Sequence, residues 1–387
     1  MNGGALLSQG GYGCVFSPSI NCDGKESSKK YISKIQKNDF SADNEIKIGE
    51  TINNNKDSYE YFAPVIKSCP IDISEIKTEG LDDCKIITSQ RKIQKFLMMK
   101  IRFIDGSILS SFITENKNSS LIFSSFVNIY QHLLKGLQIL VKERIVHFDL
   151  KGPNIVYNNE TEKPIIIDFG LSIPIDELIK SEQYYRYFYI FAPDYYIWPL
   201  EVHFLNYIEN IDEEPTLETI EQLSKEFVKK NSAINKLSES FQNKYIESSI
   251  CELKKYLNKP AKQVKRLILK SWKTWDNYSI SVMYLKYIET LFGNDRGLST
   301  NHYVKFMIQT LLQNIHPNPK RRIPIDTNVK MMNDFFNNKK IIHLDNFESL
   351  IREISINKPT IVKQTIANSK RMTKLTKKIL NRDHQKN

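Results

Sequence analysis

Cysteine is scarce. Five occur in 387 residues, at Cys14, Cys22, Cys69, Cys84 and Cys251. The count is odd, and no pair has the close spacing of a zinc site. Cys69 and Cys84 are widely separated and lack neighbouring histidines, which argues against a metal held between them. Reduced thiols in a cytosolic setting are the expectation. Long hydrophobic runs are also missing. No apolar stretch approaches the roughly 20 residues that span a bilayer. The N-terminus, Met1-Asn-Gly-Gly-Ala-Leu-Leu7, has neither a charged start nor a long apolar core, so no secretory signal is read there. A cytoplasmic protein without a membrane partner is expected. No internal repeat is evident.

Acidic residues are outnumbered. Lys+Arg total 55 and Asp+Glu 44, a net charge of +11. That balance suits an anionic partner such as a nucleotide, a nucleic acid or an acidic protein, without choosing among them. Hydrophobic residues make up 41%, enough for a sizeable core in one large or two ordinary domains. Asn, Ile and Lys are abundant, which suggests an AT-rich genome.

Two stretches combine apolar flanks with a few polar side chains. Ile145-Val-His-Phe-Asp-Leu-Lys-Gly-Pro-Asn-Ile-Val156 places Asp149, Lys151 and Asn154 within six positions. In Ile165-Ile-Ile-Asp-Phe-Gly-Leu171, Asp168 ends three isoleucines, and Gly170 frees the chain to turn. Apolar flanks anchor a short loop on a core and leave its polar groups to face a cleft. An aspartate beside an incoming hydroxyl can accept its proton. An Asn and a second Asp are hard oxygen donors for a cation, and a lysine can steady a phosphate.

These stretches resemble the catalytic and metal loops of protein kinases, with Phe148 where the family usually has Arg. Leu7-Ser-Gln-Gly-Gly-Tyr-Gly-Cys-Val-Phe16 resembles the glycine-rich loop, with Ser8 at its first glycine position. Backbone N–H groups of such a hairpin can approach phosphates. Lys34, in the alternating run Tyr31–Ile35, matches the strand lysine. Glu45, on the amphipathic stretch 44–52, is placed to pair with it. The resemblance implies ATP and Mg²⁺ as cofactors. It assigns the nucleotide to Leu7, Gly10, Gly11, Gly13, Val15, Lys34, Glu45 and Asp168, the metal to Asn154 and Asp168, and catalysis to Asp149, Lys151 and Asn154.

Further motifs follow in order. Residues 95–104 resemble the strand leading to the hinge, with Asp105-Gly-Ser107 as a turn. The stretch 121–142 has apolar residues at helical spacing. The aromatic segment Tyr184 to Trp198 ends in Pro199-Leu-Glu201, which resembles the close of an activation segment. Serine/threonine members usually carry a Thr shortly before that point, and none lies between Asp168 and Glu201. Asp276, in Trp275-Asp-Asn-Tyr-Ser-Ile-Ser281, would buttress the catalytic loop. Arg322, in Asn318-Pro-Lys-Arg-Arg322, would pair with Glu201.

The expected fold class is α+β: a two-lobed protein kinase fold with a small β-rich N-lobe and a larger, mostly helical C-lobe. Residues 1–104 form the N-lobe with enlarged loops, and 105–340 the C-lobe. A helical insertion covers about 206–262, with Leu217, Ile220, Leu223 and Phe227 on one face and Ile234, Leu237, Phe241 and Tyr245 on another. Residues 341–387 form an extension with a basic tail, a candidate contact for an acidic partner or nucleic acid. The reaction implied is transfer of the γ-phosphate of ATP to protein Ser/Thr hydroxyls, on a protein substrate the sequence does not name. The rival is a pseudokinase, an ATP-binding or scaffold module. The insertion, the wide spacing before the hinge and the coding bias resemble the kinases of large DNA viruses, which would place the protein in host cytoplasm or virion.

Overall fold

The computed structural model describes residues 4–10, 13–20, 28–76, 80–88, 95–117, 119, 122–292 and 302–337. Gly11 and the basic tail lie outside the described residues. The N-terminal part contains β1 (Ala5–Gln9), β2 (Gly13–Ser17), β3 (Tyr31–Lys37), α1 (Phe40–Asn53), β4 (Phe62–Ala63), β5 (Val65–Ile71), α2 (Lys85–Thr88) and β6 (Phe96–Arg102). Five strands pair antiparallel in the order β1-β2-β3-β6-β5.

Strand β6 shows why this sheet is buried on both faces. Phe96 and Met98 join Cys14, Phe16 and Ile35 in one cluster, and Leu97, Met99 and Ile101 join Ala42, Val65 and Ile165 in another. Side chains alternate across a strand, so apolar residues at both parities require cover on both sides. Helix α1 covers the inner face. Ile73, Leu81 and Ile87, from the segment between β5 and β6, cover the outer one. That segment approaches closely at Gly80, whose φ is +77°, and a Cβ there would stand 2.8 Å from Leu6 Cβ.

The same segment overturns the expectation of reduced thiols. Cys14 and Cys84 form a disulfide, and Cys69 is also disulfide-bonded. Among the described residues only Cys251 is free, and it is exposed. Cysteines 70 residues apart in sequence carry no spacing signal. Their meeting depends on how the segment before β6 folds back.

The C-terminal part begins with β7 (Gly106–Ile108), α3 (Leu109–Glu115), α4 (Ile122–Lys142), β8 (Ile145–Val146), β9 (Ile155–Asn158), β10 (Lys163–Ile167), β11 (Ile173–Pro174) and α5 (Ile175–Ser181). Gly106 and Ser107, read as a turn, instead pair with Asn158 and Tyr157 of β9, so the chain bends before them. Helix α4 fits the stretch read as helical. It buries Phe126, Ile129, Tyr130, Leu133 and Leu137, at roughly 1.5–3 kcal/mol for each fully buried apolar side chain.

Helices α6 (Leu200–Asn210), α7 (Leu217–Lys230), α8 (Glu239–Leu253), α9 (Ala261–Leu269), α10 (Trp275–Phe292), α11 (His302–Asn314) and α12 (Ile325–Asn337) complete the described chain. Ile220, Leu223 and Phe227 of α7 are buried as expected, and so are Ile234 and Tyr245. Leu217 is not: it is 43% exposed at the first helical position, beyond the Thr216 cap. A β-rich N-terminal region beside a largely helical C-terminal one is the α+β, two-lobed arrangement. Among the described residues no helix is long and apolar enough to cross a membrane.

Candidate active site

Lys34 lies mid-strand in β3, opposite Val15 of β2 and Met99 of β6, so its backbone is fixed on both sides. Its Nζ donates to Glu45 Oε1 and Oε2 at 2.9 and 2.7 Å and to Asp168 Oδ1 at 3.0 Å. Asp39 caps α1 by accepting from Ala42 N at 3.1 Å, which sets the helix that carries Glu45. Glu50, the other acid of α1 near this spacing, is exposed. Burial opposes the Lys34 charge, but Asp168 and Glu45 more than offset it and raise its pKa. Burial pushes the Glu45 carboxyl up against the pull of Lys34. With the ammonium in contact, we take the pair as charged. Burial also acts upward on Asp168, yet Lys34 and Lys151 hold its carboxyl below the usual range.

Asp168 has φ of +65°, in the left-handed region. Phe169 beside it is buried, with ring centroids 5.9 Å from Phe62 and 4.9 Å from His147. That anchor turns Asp168 towards Lys34, and the Asp168 side chain remains 34% exposed.

The catalytic-loop candidate starts where β8 pairs with β11. Asp276, at the start of α10, accepts from His147 N at 2.7 Å and from Phe148 N at 3.0 Å. Phe148 has φ of +67°, a conformation that costs a non-glycine residue about 1–3 kcal/mol. The two bonds to Asp276 hold it there. Burial raises the Asp276 pKa, opposed by His147 and those backbone donors.

Beyond Phe148 the polar side chains converge. Lys151 Nζ lies 2.9 Å from Asp149 Oδ2, and both side chains are at most 5% exposed. Asn154 Nδ2 donates to Asp149 O and Oδ2, each at 2.9 Å. With its nitrogen so occupied, Asn154 has Oδ1 as its remaining ligand atom. The hydroxyl of Tyr195 donates to Asp149 Oδ1 and lies 3.3 Å from Lys151 Nζ. Tyr195 was not singled out from the sequence beyond its place in the aromatic segment. Nothing in the sequence separates Tyr195 from the other tyrosines of that segment.

The glycine-rich hairpin closes through Gly10 N to Gly13 O at 2.8 Å. A Cβ at Gly13 would collide with the Ile35 carbonyl, so β2 and β3 require glycine there. Val15 is half-buried, and Leu7 stands 56% exposed at an irregularity in β1.

Arg322 and Glu201 form a buried, doubly hydrogen-bonded ion pair, with Arg322 Nη1 donating to Glu201 Oε1 at 2.6 Å and Nη2 to Oε2 at 2.8 Å. They fasten the end of the aromatic segment to the turn before α12.

Two lobes meeting at a buried lysine–carboxylate set and an aspartate-centred loop define the protein kinase class of fold. The protein kinase domain family model matches residues 2–195, half of the chain, and the chain belongs to that family. Mitogen-activated protein kinase kinase kinase 8 of Rattus norvegicus is 39% identical over 49 residues. The match covers 13% of this chain and 10% of the relative.

Proposed function

We propose that the chain is an active kinase that transfers the γ-phosphoryl group of ATP to Ser or Thr hydroxyls of proteins. One observation carries this reading: Lys34 contacts both Glu45 and Asp168 while Asp149, Lys151 and Asn154 are joined by hydrogen bonds. A scaffold that only retains the fold has no need of both sets together. Lys151 beside Asp149, in Asp-Leu-Lys, favours Ser/Thr over Tyr acceptors by analogy with the family.

The donor set fits Mg²⁺. Asn154 Oδ1 and the Asp168 carboxylate are hard oxygens. Among the described residues no group of three or more His, Cys, Asp or Glu forms a cage for a metal. Mg²⁺ is commonly held in this way, by one or two side chains together with substrate phosphates and water. When bound, the cation neutralises charge on the phosphates. Lys34 holds the α/β-phosphates, and the glycine hairpin covers them. Lys151 steadies the group in transit. Asp149 takes the proton of the acceptor hydroxyl as its oxygen bonds to phosphorus and the bond from phosphorus to the ADP oxygen breaks. The protein's part is orientation and charge stabilisation.

The test is to incubate the purified chain with labelled ATP·Mg²⁺ and generic protein acceptors, then map the labelled residues. Label on Ser and Thr is expected. ATP binding with no transfer would instead support the pseudokinase.

A further inference from the structure

Tyr195 makes a contact that none of the sequence motifs prescribes. Its side chain is fully buried. The ring meets Trp198 edge-on at 4.6 Å between centroids, and Trp198 stacks on Phe148 at 4.7 Å. Trp198 Nε1 donates to the Phe148 carbonyl at 2.8 Å. The phenol therefore stands at the end of an aromatic column whose other end is the residue before Asp149.

A carboxylate offers about four lone-pair sites. On Asp149, Oδ2 receives Lys151 Nζ and Asn154 Nδ2, and Oδ1 receives Tyr195. Among the described residues the remaining site is on Oδ1, beside the phenol. An acceptor hydroxyl that gives its proton to Asp149 has that one place to bind.

The phenol has two other conceivable roles: a plug over Asp149, or itself the phosphate acceptor. The surroundings disfavour both. A plug would have to leave for an acceptor to reach Asp149, whereas Tyr195 is held by Trp198 on its ring and by Asp149 and Lys151 at its hydroxyl. A phosphate on that oxygen would set a charge of about −1.5 to −2 against the buried Asp149 carboxylate.

We propose that Tyr195 is a positioning residue for Asp149. Its hydroxyl fixes the aspartate's orientation and leaves a single site for the incoming hydroxyl, in a segment that lacks the usual threonine. This rests on the phosphoryl-transfer reading above.

Tyr195→Phe removes the hydroxyl and keeps the ring. Four quantities are measured on the full chain: transfer from ATP·Mg²⁺ to a protein acceptor, ATP hydrolysis by water, ATP affinity by calorimetry, and melting temperature. Transfer should fall about 10–100-fold, the scale of a misplaced reacting group. ATP affinity should hold, and the ratio of transfer to hydrolysis should drop. Placing 4-aminophenylalanine at 195, which restores a donor at the same point, should recover that ratio. It also serves if the Phe variant folds poorly. Equal losses of transfer and hydrolysis alongside a lowered melting temperature would overturn the proposal, as would a variant as active as the wild type or more so. Phosphotyrosine at 195 in active wild-type protein would overturn it too. A wild type without any transfer would overturn the kinase reading itself. Transfer by the wild type with no effect of Tyr195→Phe removes only the role of Tyr195.

Discussion

Phe148 stacks on Trp198, with ring centroids 4.7 Å apart and planes inclined by 26°. The first residue precedes Asp149, and the second lies near the end of the aromatic segment. Phe188 meets the same Phe148 ring edge-on at 5.6 Å. All three are buried. The family usually has Arg at the Phe148 position, where it receives a phosphate from the segment. Phe148 has no charge and no side-chain donor, so packing holds the segment instead.

Activity should therefore be independent of phosphate on residues 169–201. Phosphatase-treated protein should keep its transfer rate, and Phe148→Arg should not raise it. Phe148→Ala should destabilise the fold by about 3–5 kcal/mol, as aromatic truncation in a core does, measured by denaturant unfolding. A large loss of activity on dephosphorylation, mapped to Ser172, Ser181 or a segment tyrosine, would contradict this account.

The Glu201–Arg322 pair is 1% exposed on each side. Burial opposes the Arg322 charge, and Glu201 more than offsets it, raising the Arg322 pKa. Arg322→Ala would leave Glu201 buried without its charge partner. The expected loss is about 3–5 kcal/mol of stability. A melting curve unchanged by the substitution would show that the pair contributes nothing.

The Cys14–Cys84 disulfide closes a separation of 70 residues and ties β2, the returning strand of the glycine hairpin, to the segment before β6. Reduction, or Cys14→Ser, should lower stability by about 2–4 kcal/mol. ATP affinity should weaken as the hairpin loosens. Equal melting temperatures with and without reductant would show that the bond is absent or idle in solution.

His203 is buried between Trp198 and Phe227, with ring centroids at 5.9 and 5.4 Å. Neither ring nitrogen makes a hydrogen bond of normal geometry, although the backbone at Tyr195 and Trp198 lies close enough to favour the charged form slightly. Burial lowers its pKa from 6.5 to about 4. The folded state thus disfavours the proton that the unfolded state accepts. Stability from this group is present above pH 6.5 and is lost as pH falls towards 4, by about 3 kcal/mol in total. His203→Leu should flatten the fall in melting temperature across that window. An equally steep fall in the variant would assign the acid sensitivity elsewhere.

The core of the site was legible because its residues sit in short apolar-flanked runs. Asp149, Lys151 and Asn154 are close in sequence, and their loop runs between β8, paired with β11, and β9, paired with β10. Strand alternation and helix periodicity marked the elements that carry Lys34 and Glu45, while the pairing itself came from the resemblance; the two meet at 2.7 Å. Arg322 and Glu201 were paired through motif resemblance alone, since nothing local in either stretch encodes a contact across 121 residues. The cover on the outer sheet face was missed. Its signal was present in β6, where Phe96 and Met98 are as apolar as Leu97 and Met99. The described residues that cover that face, Ile73, Leu81 and Ile87, sit on turns and single helical turns, so periodicity could not identify them. Leu217 was misplaced because a period fitted to four apolar residues cannot tell the first helical position, at the edge of the packing, from those behind it.

In the proposed reaction Asp149 receives the proton of a protein hydroxyl while the nucleotide is held by other residues. Asp149→Asn keeps the shape and removes the base. The measurement is transfer of labelled phosphate from ATP·Mg²⁺ to a protein acceptor, with ATP affinity measured in parallel by calorimetry. Transfer should fall by about 10²–10⁴-fold, the range of general-base catalysis, with ATP affinity nearly intact. Near wild-type turnover by Asp149→Asn would contradict it.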